Sequence, residues 1–367
     1  MLNEHDYHYM EEALALAAQG LYTCMPNPRV GCVIVRDGVI VGRGAHLRTG
    51  EPHAEVHALR EAGEKARGAD VYVTLEPCSH HGRTPPCADA LIAAGVKRVF
   101  VAMQDPNLKV AGSGLESLRR HGIEVQCGLF EREAQALNPG FISRMTRGLP
   151  FVRCKVAASL DGRTALANGV SQWITGEEAR ADVQHWRARS CAILTGIGTV
   201  RYDNPQMNVR RPDLLQISGG RQPLRVVVDS GLHLSPEAGI LQGGNTLVAY
   251  AADMESKAQA LQATGARLVC LPDGAGRVDL QKLMQHLASL EINEVLVEAG
   301  EGLNGALQQA DLIDEYLFYF APVLMGSAAR GMFGLPSMTE MAQRVELEIL
   351  DMDGLGADIR VRAKRRR

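Results

Sequence analysis

The chain has 367 residues, 46% of them hydrophobic and 22% charged, and a formal net charge of −3 from 39 Lys and Arg against 42 Asp and Glu. That length exceeds one ordinary core and fits two domains of about 150–200 residues; the composition excludes a disordered chain, and the near-neutral charge offers no general field for DNA or RNA. No stretch reaches the ~20 apolar residues that span a bilayer, and the 8 cysteines are scattered rather than spaced as a disulfide framework, so the expected setting is the cytoplasm, with neither membrane nor nucleic acid as partner.

In chain order, Asp6 to Ala18 reads as a helix capped by Asp6, and Val30–Val35 with Val39–Ala45 as two strands turned at Asp37-Gly38. His53–Ala66 follows as a helix, Ala69–Leu75 as a buried strand, Cys87–Ala94 as a helix closed by Gly95, Lys97–Ala102 as a strand, Ser113–His121 as a helix and Ile123–Cys127 as a strand. Gly148-Leu149-Pro150 marks a boundary between domains 1–147 and 148–367. Beyond it, strands are expected at Phe151–Ser159, Ala192–Thr195, Leu224–Asp229, Thr246–Tyr250, Arg267–Leu271 and Glu294–Glu298. Helices are expected at Glu177–Ala188, Met254–Ala263, Asp279–Leu287 and Gly302–Ala310. Tyr316–Phe320 and Val345–Leu350 suggest closing antiparallel strands, and Lys364–Arg367 a solvated basic tail. Strands alternating with helices predict two different α/β domains with largely parallel sheets.

Three pieces of the first domain carry chemistry together: His53-Ala54-Glu55, Pro77-Cys78 and Cys87. One imidazole and two thiolates give zinc three protein ligands and leave the fourth tetrahedral position for water, whose pKa the metal lowers towards ~7. Cys87 opens a helix, where the dipole favours a thiolate. Glu55 falls beside that water, in the place of a proton carrier. A closed structural zinc, with His57, His80 or His81 as fourth ligand, is the alternative reading, as are two buried cysteines without metal. The string HAEVH is not a zinc-protease helix, because Ala54 separates His53 from Glu55. H-x-E with P-C and a second Cys is the signature of zinc nucleobase deaminases. Here the usual C-x-x-C is stretched by SHHGRTPP, which brings His80, His81 and Arg83 beside the metal.

With Asn27, His46 and Gly50 upstream, in PNPRVG and GAHLRTGEPHAE, the stretched PCSHHGRTPPC resembles the deaminase domain of a bifunctional riboflavin-biosynthesis family. That family is the diaminohydroxyphosphoribosylaminopyrimidine deaminase / 5-amino-6-(5-phosphoribosylamino)uracil reductases, in which the long spacing is normal. Lys155-Val-Ala-Ala-Ser-Leu-Asp-Gly-Arg-Thr, Ser171-Gln-Trp-Ile, Arg187, Asp203-Asn-Pro, Arg210 and Val228-Asp-Ser occur in the order of the same family's reductase domain. The glycine-rich stretches Gly196–Val200 and Glu298–Ala306 lack the GxGxxG spacing and gain weight only in that company.

The resemblance implies a cytidine-deaminase-like α/β/α layer followed by a dihydrofolate-reductase-like α/β domain. It implies one zinc per chain, with His53, Cys78 and Cys87 as ligands and Glu55 as proton carrier. NADPH would contact Ala157, Trp173, Thr199, Asp203, Ser230 and the loop Gly300, Glu301, Gly302, Leu303, Asn304, Gly305 and Ala306. The substrate, a phosphoribosylaminopyrimidine, would contact Asn27, His46, Lys155, Ser171, Arg187, Met207, Arg210 and Glu298. Arg187 and Arg210 are candidates for bidentate phosphate contacts. A homo-oligomer, a dimer first, is expected. The rival readings are a zinc deaminase of a nucleic-acid base with a non-reductase second domain, and a binding module around a structural zinc.

Overall fold

Asp37 and Gly38 take positive φ values of 52° and 79°, so the two-residue turn closes β1 (Gly31–Arg36) against β2 (Val39–Ala45) as an antiparallel hairpin. The computed structural model describes residues 4–79, 86–107, 110–252 and 254–366. The chain divides into two units, Met1–Gly148 and Leu149–Arg367.

The first unit runs α1 (Glu4–Ala18), β1, β2, α2 (Ala54–Ala62), β3 (Asp70–Val73), α3 (Cys87–Ala94), β4 (Arg98–Val101), α4 (Ser113–Arg120), β5 (Glu124–Cys127), α5 (Glu131–Leu137) and α6 (Pro139–Arg147). Its sheet has the order β2-β1-β3-β4-β5. The β1 pairings are antiparallel and the β3–β4–β5 pairings parallel, so this sheet is mixed where a largely parallel one was expected. Two glycines seat the helices. A Cβ on Gly31 would lie 1.9 Å from the Ala13 carbonyl of α1, and one on Gly44 would lie 2.0 Å from the Ala54 carbonyl of α2. Gly31 pairs with Ala45 and Cys32 with Gly44, so the two glycines face opposite sides and the sheet is a filling between helices.

Three expectations change here. Asp6 is no cap: it lies within α1, buried, and accepts the Tyr72 hydroxyl hydrogen at 2.6 Å. The helix expected to reach Ala66 ends at Ala62, because Gly63 has φ 53°, and continues as a 3₁₀ turn. Helices α5 and α6 were not anticipated.

The second unit contains β6 (Phe151–Ser159), β7 (Arg163–Ala165), α7 (Glu177–Arg189), β8 (Ala192–Gly196), α8 (Ile197–Asp203), α9 (Pro212–Ile217), β9 (Leu224–Val228), β10 (Thr246–Tyr250) and α10 (Glu255–Gln262). It continues with β11 (Arg267–Cys270), α11 (Leu280–Ser289), β12 (Glu294–Glu298), α12 (Glu301–Gln309), β13 (Glu315–Ala321), β14 (Arg330–Gly331), β15 (Leu347–Leu355) and β16 (Asp358–Arg365). The main sheet has the order β11-β10-β9-β8-β12-β6-β13-β16-β15. It is parallel from β11 to β13, and its strand ends gather the functional loops on one side.

The closing strands differ from expectation. β13 lies parallel to β6 and antiparallel to β16, while β15 is the edge strand and pairs only with β16. Residues expected as a solvated tail belong to β16 as far as Arg365. Lys364 meets Glu348 at 3.3 Å and Arg365 meets Asp311 at 2.6 Å. Acidic partners on β15 let the basic strand pair.

Candidate functional site

In the first unit, β3 runs on to Glu76-Pro77-Cys78. His53 is the N-cap residue of α2, and Cys87 is the first residue of α3. The ligand atoms of His53, Cys78 and Cys87 lie within 4.8 Å of one another. His53 Nδ1 is 3.3 Å from Cys87 Sγ and 3.7 Å from Cys78 Sγ. Zinc bonds of about 2.0–2.3 Å set tetrahedral edges of roughly 3.3–3.8 Å between ligands, so this triangle fits the ion. Among the described residues, no fourth donor, His57 included, joins the group.

The backbone N–H of Cys87 donates to Cys78 Sγ at 3.3 Å. The contact with the Cys87 thiol holds the Cys78 thiol well below its ordinary range, and the same contact pushes Cys87 up. The start of α3 thus reaches Cys78 as well, through the Cys87 N–H.

Glu55 is buried in the first turn of α2, where burial pushes its carboxyl up to about 7, and it faces the Cys87 thiol. His46 packs edge-to-face on His53 with ring centroids 5.3 Å apart. Its Nδ1 is 3.2 Å from the Pro52 carbonyl, and its Nε2 is 3.0 Å from Asn27 Nδ2. The carbonyl can only accept and the amide only donate, which fixes a neutral Nδ1–H tautomer; burial lowers the His46 pKa in the same sense. Asn27, His46, His53, Glu55, Cys78 and Cys87 are thus one cluster. His80, His81 and Arg83 lie outside the described residues.

In the second unit a cavity of about 1000 Å³ opens where β8, β9 and β12 end. Lys155, Ala157, Ser171, Trp173, Arg187, Thr199, Asp203, Met207, Arg210, Glu298, Gly300, Glu301, Gly302 and Leu303 all line it. Ser230, Asn304, Gly305 and Ala306 are not among the lining residues. Ser230 Oγ accepts the Val278 N–H at 3.0 Å. Asn304 is fully buried and donates to the carbonyls of Ala299 and Met332, each at 3.2 Å. A Cβ on Gly305 would lie 2.2 Å from the Gly334 carbonyl. The glycine-rich stretch therefore divides: Gly300 and the first turn of α12 face the cavity, and the next turn packs inward.

Arg187 is buried, and its Nε and Nη2 donate to the two oxygens of Glu298 at 2.6 and 2.9 Å, while Nη1 donates to the Asn208 carbonyl at 3.0 Å. Its fork is committed to a carboxylate, which overturns the expectation of a bidentate phosphate contact from Arg187. Arg210 remains exposed at the cavity. Burial lowers the Lys155 pKa against the pull of Glu298. Ser171 Oγ donates to Asp203 at 2.8 Å. Trp173 is 69% exposed beneath the Arg180 guanidinium, 4.9 Å from its ring.

Sequence reasoning missed Arg180, Gln184, Tyr202 and Arg330, all of which line the cavity. Arg330 sits 4.6 Å over the Tyr202 ring and donates to its hydroxyl at 3.1 Å. The two are 128 residues apart, and no local pattern signals the pair.

Residues 150–361 match the model of the RibD C-terminal domain, and residues 3–103 that of the cytidine and deoxycytidylate deaminase zinc-binding region. The riboflavin biosynthesis protein RibD of Escherichia coli K12 is 50% identical over 362 residues, covering 96% of this chain and 98% of that protein. The chain belongs to the RibD family.

The Haemophilus influenzae RibD is 44% identical, with 98% and 97% of the two chains covered. The solved structure of Acinetobacter baumannii RibD, form 1, superposes with a TM-score of 0.92 at 46% identity over 99% of each chain. A diaminohydroxyphosphoribosylaminopyrimidine deaminase/5-amino-6-(5-phosphoribosylamino)uracil reductase from Thermotoga maritima gives 0.87 at 33% identity, again over 99% of each. As in the RibD family, a zinc-binding deaminase domain and a reductase domain are both present, and the chain is a two-activity enzyme of riboflavin biosynthesis. Among the described residues, no helix is long and apolar enough to cross a membrane.

Proposed function

We infer that deamination takes place at the His53–Glu55–Cys78–Cys87 cluster and reduction in the cavity of the second unit, on 2,5-diamino-6-(5-phosphoribosylamino)pyrimidin-4(3H)-one and its deaminated product. The observation that carries this is the triangle of metal donors beside a buried carboxyl. His53, Cys78 and Cys87 would hold zinc, which when bound would supply Lewis acidity to a water at its open position, facing the amine-bearing ring carbon. Glu55, buried and outside the donor triangle, takes the water proton and hands it to the departing amine, which leaves as ammonia. Neutral His46 holds the Asn27 amide at the edge of the cluster, where it can read the polar rim of a pyrimidine.

The cavity would hold NADPH, which when bound would supply a hydride to C1′ of the opened ribosyl chain, with a proton from solvent completing the two hydrogens of the ribityl product. The free N–H groups of the first turn of α12 and the small side of Gly302 suit a cofactor phosphate. Lys155 and Glu298 face the same space and suit the sugar hydroxyls, and exposed Arg210 suits the substrate phosphate.

None of the eight cysteines lies in a disulfide, which supports a cytoplasmic setting. Exposed Leu347, Ile349 and Met352 on edge strand β15 support a homodimer. Mass analysis after incubation with the diamino ribotide tests the assignment. Without NADPH the amine should be exchanged for a carbonyl oxygen, and with NADPH the product should gain two further hydrogens. A product that is neither deaminated nor reduced would refute it.

A further inference from the structure

Glu76 lies on the segment after β3 that delivers Cys78, yet its side chain takes no place in the metal cluster. It is 5% exposed. One carboxylate oxygen accepts the N–H groups of Asp105 at 3.1 Å and Gly112 at 2.9 Å, and the other those of Gly114 at 2.9 Å and Leu115 at 3.4 Å. Four backbone donors, two of them in the first turn of α4, converge on one buried carboxylate. Such convergence offsets the cost of burying the charge and places it at the positive end of the helix.

The neighbours of Glu76 are gripped as well. A Cβ on Gly114 would lie 2.0 Å from the Pro77 carbonyl, and the Ser79 and Ser113 hydroxyls are 2.6 Å apart. On the other side, the Cys78 carbonyl accepts the Ala88 N–H at 3.1 Å and Cys78 Sγ accepts the Cys87 N–H. Cys78 is therefore suspended between two helix N-termini, that of α3 through its own atoms and that of α4 through Glu76.

We propose that Glu76 is a positioning residue for the zinc site: its carboxylate fixes residues 76–79 on the start of α4 and so sets the place of Cys78 Sγ relative to His53 and Cys87. This rests on Cys78 being a zinc ligand. Glu76→Gln keeps the length of the side chain but turns an amide group towards N–H donors, which opens one half of the clamp. Removing a partner that orients a metal ligand costs about 10–100-fold in metal affinity.

The full-length variant should lose zinc affinity by that factor in chelator competition. Loaded with cobalt, it should show a shifted thiolate-to-metal charge-transfer band while its far-ultraviolet circular dichroism stays that of the wild type. A helix-stabilising role alone would leave the band unmoved. Coupling is reciprocal, so stripping zinc from the wild-type protein should speed amide hydrogen exchange at Asp105, Gly112 and Gly114, a result that does not depend on the variant folding. Wild-type affinity and band in Glu76→Gln overturn the proposal, as does exchange at those amides that ignores zinc. The Cys78→Ser variant separates the two layers: if it keeps zinc, the ligand assignment fails, and if it loses zinc while Glu76→Gln holds it, only the clamp fails.

Discussion

Glu298→Gln probes the reductase cavity through the pair that holds its floor. In the wild type both carboxylate oxygens are engaged by Arg187, at 2.6 and 2.9 Å, with Arg187 8% and Glu298 9% exposed. Removing one partner of a buried ion pair costs about 3–5 kcal/mol. The amide oxygen of Gln still accepts one charged N–H, recovering about 1–2 kcal/mol, which leaves a loss of roughly 1–4 kcal/mol. For a unit of this size each kcal/mol lowers the melting temperature by about 2–4 °C, so the expected drop is roughly 2–16 °C. Calorimetry reads it in the transition that NADPH shifts upward, because a ligand stabilises the unit that binds it. Glu298 also supports the charge on Lys155 against burial. In the variant, the pH at which the reductase KM begins to rise should therefore move down. An unshifted transition with an unchanged pH profile would refute the role given to this pair.

Cys78→Ser or Cys87→Ser should bind less than stoichiometric zinc by elemental analysis, since a hydroxyl is a poor zinc ligand; full retention in both would remove them from the ligand set. Gly44→Ala places a methyl against the Ala54 carbonyl, 2.0 Å away, and should push α2 outward. The expected cost is about 1–3 kcal/mol by denaturant titration, with deaminase activity falling more than reductase activity; equal losses would mean that α2 is not displaced. Asp161 accepts the Ser159 hydroxyl hydrogen at 2.5 Å and the amides of Met325 and Gly326 at 3.0 and 2.7 Å, and the first of these bonds leads in lowering its pKa to about 2. That lies below the unfolded value of about 3.9, so its support is complete above pH ~4 and fades as the pH falls towards 2. Amide exchange at Met325 and Gly326 should accelerate over that window and lose the acid dependence in Asp161→Asn.

The alternation of strands and helices was legible because each element carries its own pattern. The hairpin at Asp37-Gly38 and the five central parallel strands of the second unit needed no distant partner to be recognised. What escaped was structure fixed by remote groups. β16 reads DIRVRAKR, and its basic side chains are acceptable in a strand because Glu348, Asp351 and Asp353 oppose them on β15. α8 is seven residues long and contains Gly198, so its sequence argues for a loop. The metal cluster was legible because three short strings carry it. The Arg187–Glu298 fork spans 111 residues and was not, and neither was the hydrogen bond from the Cys87 N–H to Cys78 Sγ, which needs α3 folded beside residue 78. Glu76 drew no notice because a carboxylate before Pro-Cys has no meaning until the 105–115 amides are brought onto it.

Glu55→Gln tests most directly that two chemistries reside on two units. Gln keeps the volume but cannot accept the water proton, while His53, Cys78 and Cys87 remain to hold zinc. Loss of a general acid–base group costs about 10²–10⁴ in rate, or roughly 3–5 kcal/mol of barrier. The variant should retain stoichiometric zinc, lose ammonia release from the diamino ribotide by that factor, and oxidise NADPH at the wild-type rate when given the deaminated compound. Wild-type ammonia release would contradict the role of Glu55, and failure of both proteins to oxidise NADPH on the deaminated compound would contradict the assignment of reduction to the second unit.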